Sequence, residues 1–476
     1  MRALHLIALG LLAWTHVGWG LFLRVARAAG LGRVTEGGAV GEARNVSASS
    51  GPTAAPPPDV TLAGGDATRG PGEPARAAID AGATPPFGLR VPPRVAVVVA
   101  AYTEESSIAT TVAGLRDQAW PGERPRIVVA CDGSPDATAD RARDAGADLV
   151  LELPRGGKHR AQDTAVARLL LGDAPPDVLV FSDANTRWEP DALARLVAAF
   201  DEPEVGYACG RVTFVRQDGA TNQEGAYWRA EMALRARESD WWSVSAGNGA
   251  IYAVRAALWP RLRTDIGHDL SLPHQIVRAG YVAVDVPTAR ATEPMVPSLE
   301  GEWRRKRRMM NQVWNIVLAG GPDDGPAGGV LDPRGLPPAY VATLASHRWL
   351  RYASPFLHVG ALLAGAGAAS GARGSRATTE RCGPGARRGA GGADAGAGRG
   401  GAGRGRSAAV LHRALLAAHL AVGVGAAAAS VRPSRPLLLC RYYVLMTASI
   451  AAGLLDRIRH GTPRGWDAAE GTRADR

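Results

Sequence analysis

Val178-Leu179-Val180-Phe181-Ser182-Asp183-Ala184-Asn185 constrains this chain most. Four apolar residues without polar alternation read as a strand covered on both faces. The run ends in an Asp and an Asn two residues apart. At the carboxyl end of a parallel strand, such a pair sits where open α/β sheets bind ligands. Hard oxygen donors on a rigid strand end suit a divalent cation held against phosphates.

The surrounding sequence repeats the theme. Arg94–Ala100 reads as a strand that leads into Tyr102 and Glu104, then a helix near 106–118. Arg126–Ala130 reads as a second strand, ending in Cys131-Asp132-Gly133-Ser134. Asp148–Leu153 is a third. Gly156-Gly157-Lys158 opens a helix over 159–171, before strand 178–182. Strands alternating with helices predict an α/β domain with a mostly parallel central sheet. Tyr102, Glu104, Asp132, Asp183 and Asn185 then converge on one sheet edge. Lys158 at a helix start suits a phosphate. Singly, each has a plainer use: Asp132-Gly133 is a common turn pair, Lys158 a solvated helix residue, Asp183 a helix cap.

The ends of the chain point to a membrane. Residues 5–23 are apolar and about long enough to cross a bilayer. Arg24, Arg27 and Arg33 follow, which places the next domain in the cytoplasm. A signal peptide cleaved after Gly30 is the rival reading. The expected order is an anchor (1–28), a Gly/Ala/Pro-rich linker (29–92), a catalytic domain (93–299) and a basic helix with connector (300–348). Then come a span (349–371), a Gly/Arg low-complexity loop (372–407), two spans (408–456) and a polar tail (457–476). Asn45-Val46-Ser47 is a glycosylation sequon by pattern alone. Four spans put the tail outside, whereas Arg457, Arg459 and Arg464 argue for inside.

The net charge of +10 fits a membrane surface or a polyphosphate ligand. No basic stripe is interleaved with aromatics, so nucleic acid is not an expected partner. The 4 cysteines are scattered without a CxxC pair, against a disulfide framework or a zinc site.

Ala101-Tyr102-Thr103-Glu104, Cys131-Asp132-Gly133-Ser134, Gly157-Lys158, Ser182-Asp183-Ala184-Asn185, Gly247-Asn248-Gly249 and Gly267-His268-Asp269 follow one another in order. Over roughly residues 93–315 the chain resembles the inverting family 2 glycosyltransferases of the GT-A fold. The resemblance implies that Tyr102, Glu104 and Asp132 hold the base and ribose of a nucleotide-sugar, with Lys158 near the base or phosphate. Asp183 would bind Mg²⁺ or Mn²⁺ across the diphosphate. The family often has a second Asp where Asn185 stands. Asp269 matches the catalytic base, with His268 where an acidic partner is usual. A helix cap before Leu270–Ala279 is the plainer use of Asp269.

Gly249 lies in a small-residue loop that lets a sugar approach the backbone. Trp241 and Trp242, just before it, either stack on an acceptor or pack in the core. Residues 300–315 form a basic helix suited to an anionic membrane surface. By resemblance, Arg308 also falls where processive relatives contact the diphosphate. Arg305 and Met309 depart from those relatives' Gln-x-x-Arg-Trp motif.

The expected protein is therefore a membrane-bound transferase of the cell envelope. It would move a sugar from a nucleotide-sugar to a lipid-linked or other membrane acceptor by metal-assisted single displacement. A processive polysaccharide synthase and a catalytically silent membrane scaffold are the alternatives. A nucleotidyltransferase is disfavoured because Ala101–Glu105 lacks a Gly-rich phosphate loop. A transporter is disfavoured because the polar clusters sit in an α/β pattern.

Overall fold

A computed structural model describes residues 1–32, 92–215, 225–260, 262–263, 266–295, 299–319, 329–379 and 397–462. Most of the linker expected at 29–92, its sequon, Cys382 and the tail after 462 lie outside the described residues.

The parallel half of the sheet is built from the apolar runs. Strands β1 (Val95–Ala101), β2 (Arg126–Asp132), β3 (Leu149–Leu153) and β4 (Val178–Asp183) pair in parallel in the order β3-β2-β1-β4. Every residue of β1 is buried, as a strand covered on both faces requires. Helices α1 (Arg2–Ala28), α2 (Ile108–Arg116), α3 (Thr138–Asp144) and α4 (Lys158–Leu170) precede or connect these strands.

Beyond β4 the sheet changes character. A short β5 (Arg187–Trp188) and helix α5 (Ala192–Val197) precede β6 (Val205–Val215), followed by helix α6 (Gly225–Trp241) and β7 (Ile251–Arg255). Helix α7 (His268–Arg278) and β8 (Val282–Pro294) complete the eight-stranded order β3-β2-β1-β4-β7-β6-β8-β5. β7 runs antiparallel to β4 and β6, while β6 and β8 pair in parallel. The mostly parallel sheet expected from sequence is present, with antiparallel partners on one side.

The basic stretch expected at 300–315 is helix α8 (Leu299–Ala319). Its inner face is buried rather than lying open on a surface: Glu302, Lys306, Met310, Asn311 and Trp314 are all buried. After it come α9 (Pro338–Thr343), a π-helical segment (Leu344–Trp349) and three long helices, α10 (Leu350–Thr379), α11 (Ala397–Ala428) and α12 (Arg435–His460). α12 packs along α8. Gly453 explains the close approach: a Cβ there would come 2.7 Å from Met310 and from the Asn311 backbone nitrogen. The Trp314 indole also donates to the Ile450 carbonyl, 2.8 Å away.

Among the described residues, three helices are long and apolar enough to cross a membrane: Arg2–Ala28, Ser407–Ala428 and Arg435–His460. They correspond to three of the four expected spans. The fourth, at 349–371, is helical as part of α10 but falls outside this set among the described residues. The stretch 372–407, expected as a loop, is helical at both ends, because α10 continues to Thr379 and α11 begins at Ala397. Residues 380–396 lie outside the described residues.

Candidate active site

The strand ends and the loops after them open onto one cavity of ≈ 870 Å³. Its floor at the sheet edge is lined by Glu104, Lys158, Asp183, Asn185, Gly249 and Asp269. Its far end reaches Tyr352 of α10 and Tyr442, Met446 and Ile450 of α12, and Arg308 of α8 faces it between the two. One space therefore joins the sheet edge to the long helices.

Asp132 holds the loop that starts α4. Its carboxylate accepts the Gly156 N–H at 2.7 Å, the Gly157 N–H at 2.8 Å and the Arg155 guanidinium at 3.2 Å. Gly157 sits at φ 100° and ψ 156°, open only to glycine, and this turns Lys158 inward. Asp132 itself is fully buried and does not line the cavity. Tyr102 is also set apart from the cavity, its ring beneath the Arg155 guanidinium, 3.1 Å from centroid to carbon. Between Tyr102 and Glu104, Thr103 adopts φ 51°, an unusual place for a β-branched residue. Its N–H is fastened to the Ser134 hydroxyl at 3.0 Å.

Lys158 Nζ forms an ion pair with Asp183 Oδ1 and lies 3.4 Å from the Gly249 carbonyl. Burial alone would lower this ammonium. The charge of Asp183, with Asp269 and Glu293 behind it, outweighs burial and holds it above its ordinary value. Glu293, on β8, accepts the Thr186 hydroxyl at 2.7 Å. Burial, then the charge of Asp183, pushes its carboxyl up to about 7.

Asp269 lies in the first turn of α7. Gly267 occupies the cap position, so Asp269 is not the cap that the plainer reading expects. Its Oδ1 accepts the Leu270 N–H at 3.0 Å, and its carbonyl accepts the Gly247 N–H at 2.8 Å. The second contact ties α7 to the loop carrying Gly249. Desolvation pushes the Asp269 carboxyl above its ordinary value, although Lys158 pulls part of that back. His268, beside it, is buried near Asp163, 3.5 Å away, and the Tyr252 hydroxyl, 3.3 Å away.

The small-residue loop is tied down by Asn248. Asn248 donates to the Gly210 carbonyl at 2.6 Å and accepts from the backbone of Ala250 and Ile251 at 3.1 and 2.8 Å. Trp241 and Trp242 take no part in the cavity. Trp241 meets Phe22 of α1 edge to face at 5.6 Å, and Trp242 is 38% exposed. Arg305 binds Glu302 through two contacts of 2.8 and 3.0 Å.

A divalent cation fits the floor by its chemistry. Asp183 and Asn185 present a carboxylate and an amide oxygen, and the Asp183 carboxylate already has a cationic group against it. Glu293 is pushed toward its neutral form by burial first and by the charge of Asp183 second. Among the described residues no three His, Cys, Asp or Glu side chains gather to hold a metal alone. Glu293, Arg211, Arg290 and Tyr252 also line the cavity. Sequence reading passed them over because they arise from β6, β7 and β8, whose pairing is non-local.

An α/β sheet of this order, with an acidic and amide pair at a central strand end above a cleft, defines the GT-A class. The fold is shared with a mannosyltransferase from Pyrobaculum calidifontis solved with GDP-Man and Mn²⁺. The TM-score is 0.52 at 23% identity, over 81% of this chain and 92% of that one. Residues 96–256 match the model for glycosyl transferase family 2, and the chain carries a domain of that family. Its sequence is 28% identical over 249 residues to an N-acetylglucosaminyltransferase from Sinorhizobium fredii, covering 48% of this chain and 59% of that protein. It is also 28% identical over 106 residues to a dolichol-phosphate mannosyltransferase from Pyrococcus furiosus, covering 22% of this chain and 30% of that protein. The chain thus spans less than two thirds of the length of these curated relatives.

Proposed function

We propose that this protein is an inverting glycosyltransferase that moves a sugar from a nucleotide-sugar to a lipid-linked acceptor at the membrane. One observation carries the reading: Asp183, Lys158 and Asp269 share a single cavity that continues to Tyr442, Met446 and Ile450 of a helix long enough to span a bilayer.

Asp269 is the general base. Its carboxylate takes the proton of the acceptor hydroxyl as that oxygen attacks the anomeric carbon. The new carbon–oxygen bond forms as the bond to the diphosphate breaks, and its electron pair leaves with the diphosphate. Asp183 and Asn185 would hold a Mg²⁺ or Mn²⁺ ion, which supplies charge stabilisation for that leaving group. Arg308 and Lys158 add positive charge beside it. Glu104, at the end of β1, lies on the nucleotide side. Tyr102 and Asp132 act from behind, by fixing Arg155 and the loop before Lys158. Gly249 leaves room for the acceptor. Trp241 packs on Phe22 of α1 and Trp242 is partly exposed, so neither is assigned to the acceptor.

The far end of the cavity mixes Met309, Val313, Met446 and Ile450 with Arg308 and Tyr442, which suits a lipid carrying a polar head. The dolichol-phosphate mannosyltransferase relative supports the same acceptor class. Arg24 and Arg27 at the carboxyl end of α1 favour a cytoplasmic catalytic domain.

The test is nucleotide release from UDP-, GDP- and dTDP-sugars by membranes containing the protein, with Mn²⁺ or with chelator, beside Asp269→Asn. Release from one donor, dependent on both metal and Asp269, is the expected result. If no nucleotide is released and none binds in the presence of Mn²⁺, the protein is a silent scaffold of this fold.

A further inference from the structure

We propose that the Lys158 ammonium is a built-in competitor for the divalent cation at Asp183, so that metal is admitted together with the nucleotide-sugar and hardly at all without it. The inference rests on the reading that Asp183 is a metal ligand, and it adds a gating role for Lys158.

The position of Lys158 is fixed from both sides. Behind it, the Asp132 carboxylate grips the N–H groups of Gly156 and Gly157, which sets where α4 begins. In front, Nζ is paired with Asp183 Oδ1 and lies 3.4 Å from the Gly249 carbonyl. The side chain is 13% exposed and that of Asp183 is 23% exposed. An ammonium bound in this way takes one of the two carboxylate oxygens open to a metal and sets a positive charge beside the other. A Mg²⁺ ion takes oxygen ligands at about 2.0–2.1 Å and cannot share that contact with an ammonium.

Charge decides when the exchange occurs. Asn185 is neutral, so the strand end brings one negative charge where an Asp pair would bring two. A divalent ion placed on Asp183 beside Lys158 leaves that trio with a net positive charge. Asp269 and Glu293 lie near enough to stabilise the ammonium, yet Glu293 is itself pushed toward neutrality. The diphosphate of an incoming donor supplies the missing negative charge. It also gives the displaced ammonium a new partner. Metal and donor therefore bind as a pair.

The experiment measures Mn²⁺ binding to the detergent-solubilised full chain by the loss of the free-ion electron paramagnetic resonance signal, with and without UDP or GDP. Lys158→Met and Lys158→Gln should each bind Mn²⁺ roughly ten-fold or more tightly than wild type without nucleotide, since an adjacent unit charge is worth one to three decades. Lys158→Arg should keep the weak wild-type binding. Asp183→Asn should abolish the tight binding in every background. If Lys158→Met and Lys158→Gln match wild type while Asp183→Asn removes Mn²⁺ binding in the presence of nucleotide, the metal reading stands and the competitor role is wrong. If Asp183→Asn changes nothing under any condition, the metal reading fails and this inference falls with it. Two substitutions of different shape keep a folding defect in one from deciding the outcome.

Discussion

His347 Nδ1 lies 2.5 Å from Glu238 Oε1, and both side chains are fully buried. This contact joins the π-helical segment before α10 to α6 of the catalytic domain. Glu238 also accepts the Trp19 indole N–H at 3.3 Å and the Ser245 N–H and hydroxyl at 3.1 and 2.7 Å. One carboxylate thus fastens the first apolar helix, the carboxyl-terminal helices and the loop leading to Gly249. Removing Glu238 leaves buried His347 with one carboxylate, Glu231, 3.4 Å away, and strips the Trp19 and Ser245 donors of their acceptor. Glu238→Ala should cost about 3–5 kcal/mol. Denaturant unfolding in detergent measures it, and a loss within about 0.5 kcal/mol, the range of plain surface changes, would show that the cluster is not a clamp.

The same cluster predicts an acid transition. Burial would raise Glu231 and Glu238, but Arg351 and His347 beside Glu231, and His347 and Arg348 beside Glu238, hold both carboxyls below their ordinary value. Groups depressed in the folded state contribute stability above the unfolded carboxyl value of about 4.3. That contribution is lost as pH falls through the folded value. Melting temperature should therefore drop below about pH 4.3, and Glu238→Gln should flatten the drop. An unchanged slope in Glu238→Gln would move the acid sensitivity elsewhere.

The sheet edge was the legible part of this protein. Lys158, Asp183 and Asp269 could be placed from sequence because each follows directly on a local pattern, a strand end or a helix start. Glu293 could not, because its approach to Asp183 depends on β8 pairing with β6, and that register includes irregularities no local pattern encodes. The contact Trp241 makes is equally non-local. An aromatic pair before a glycine loop suits sugar stacking, yet its partner is Phe22, far away in sequence on α1. The basic helix α8 showed its charge in the sequence, but not that Gly453 and Ile450 of α12 would bury its inner face.

Asp269→Asn keeps shape and removes the base. Transfer should fall by about 10²–10⁴-fold, with nucleotide-sugar affinity unchanged. Equilibrium binding beside turnover separates the two, and wild-type turnover would remove Asp269 from the role.

The pH profile of transfer follows from the same carboxyl. A base works ionised, and Asp269 sits above its ordinary value because it is desolvated. The rate should climb with pH through an apparent value above about 3.9 and then level off. Replacing Lys158 by Met removes the charge that pulls this value down, so the climb should move further up in pH. A limb that stays in place would mean that Lys158 and Asp269 do not sense one another in the working enzyme.

The contact of α8 with α12 should set how well Arg308 serves the donor. Arg308 faces the cavity from α8, and α8 is seated by the bare Cα of Gly453 and the Trp314–Ile450 hydrogen bond. Gly453→Val forces side-chain atoms into the Met310 and Asn311 backbone, and overpacking of this kind costs about 1–3 kcal/mol. α8 can answer by moving away, carrying Arg308 with it. The Michaelis constant for the donor should then rise, as in Arg308→Ala, where loss of a hydrogen bond to a charged group is worth about 1.5–3 kcal/mol, or roughly ten- to a hundred-fold. The double variant decides between a shared and a separate cause. If Gly453→Val acts by moving Arg308, it adds little once Arg308 is gone. Full additivity would mean that Gly453 affects donor binding by a route other than Arg308 and leave Arg308 independent of the α12 seat.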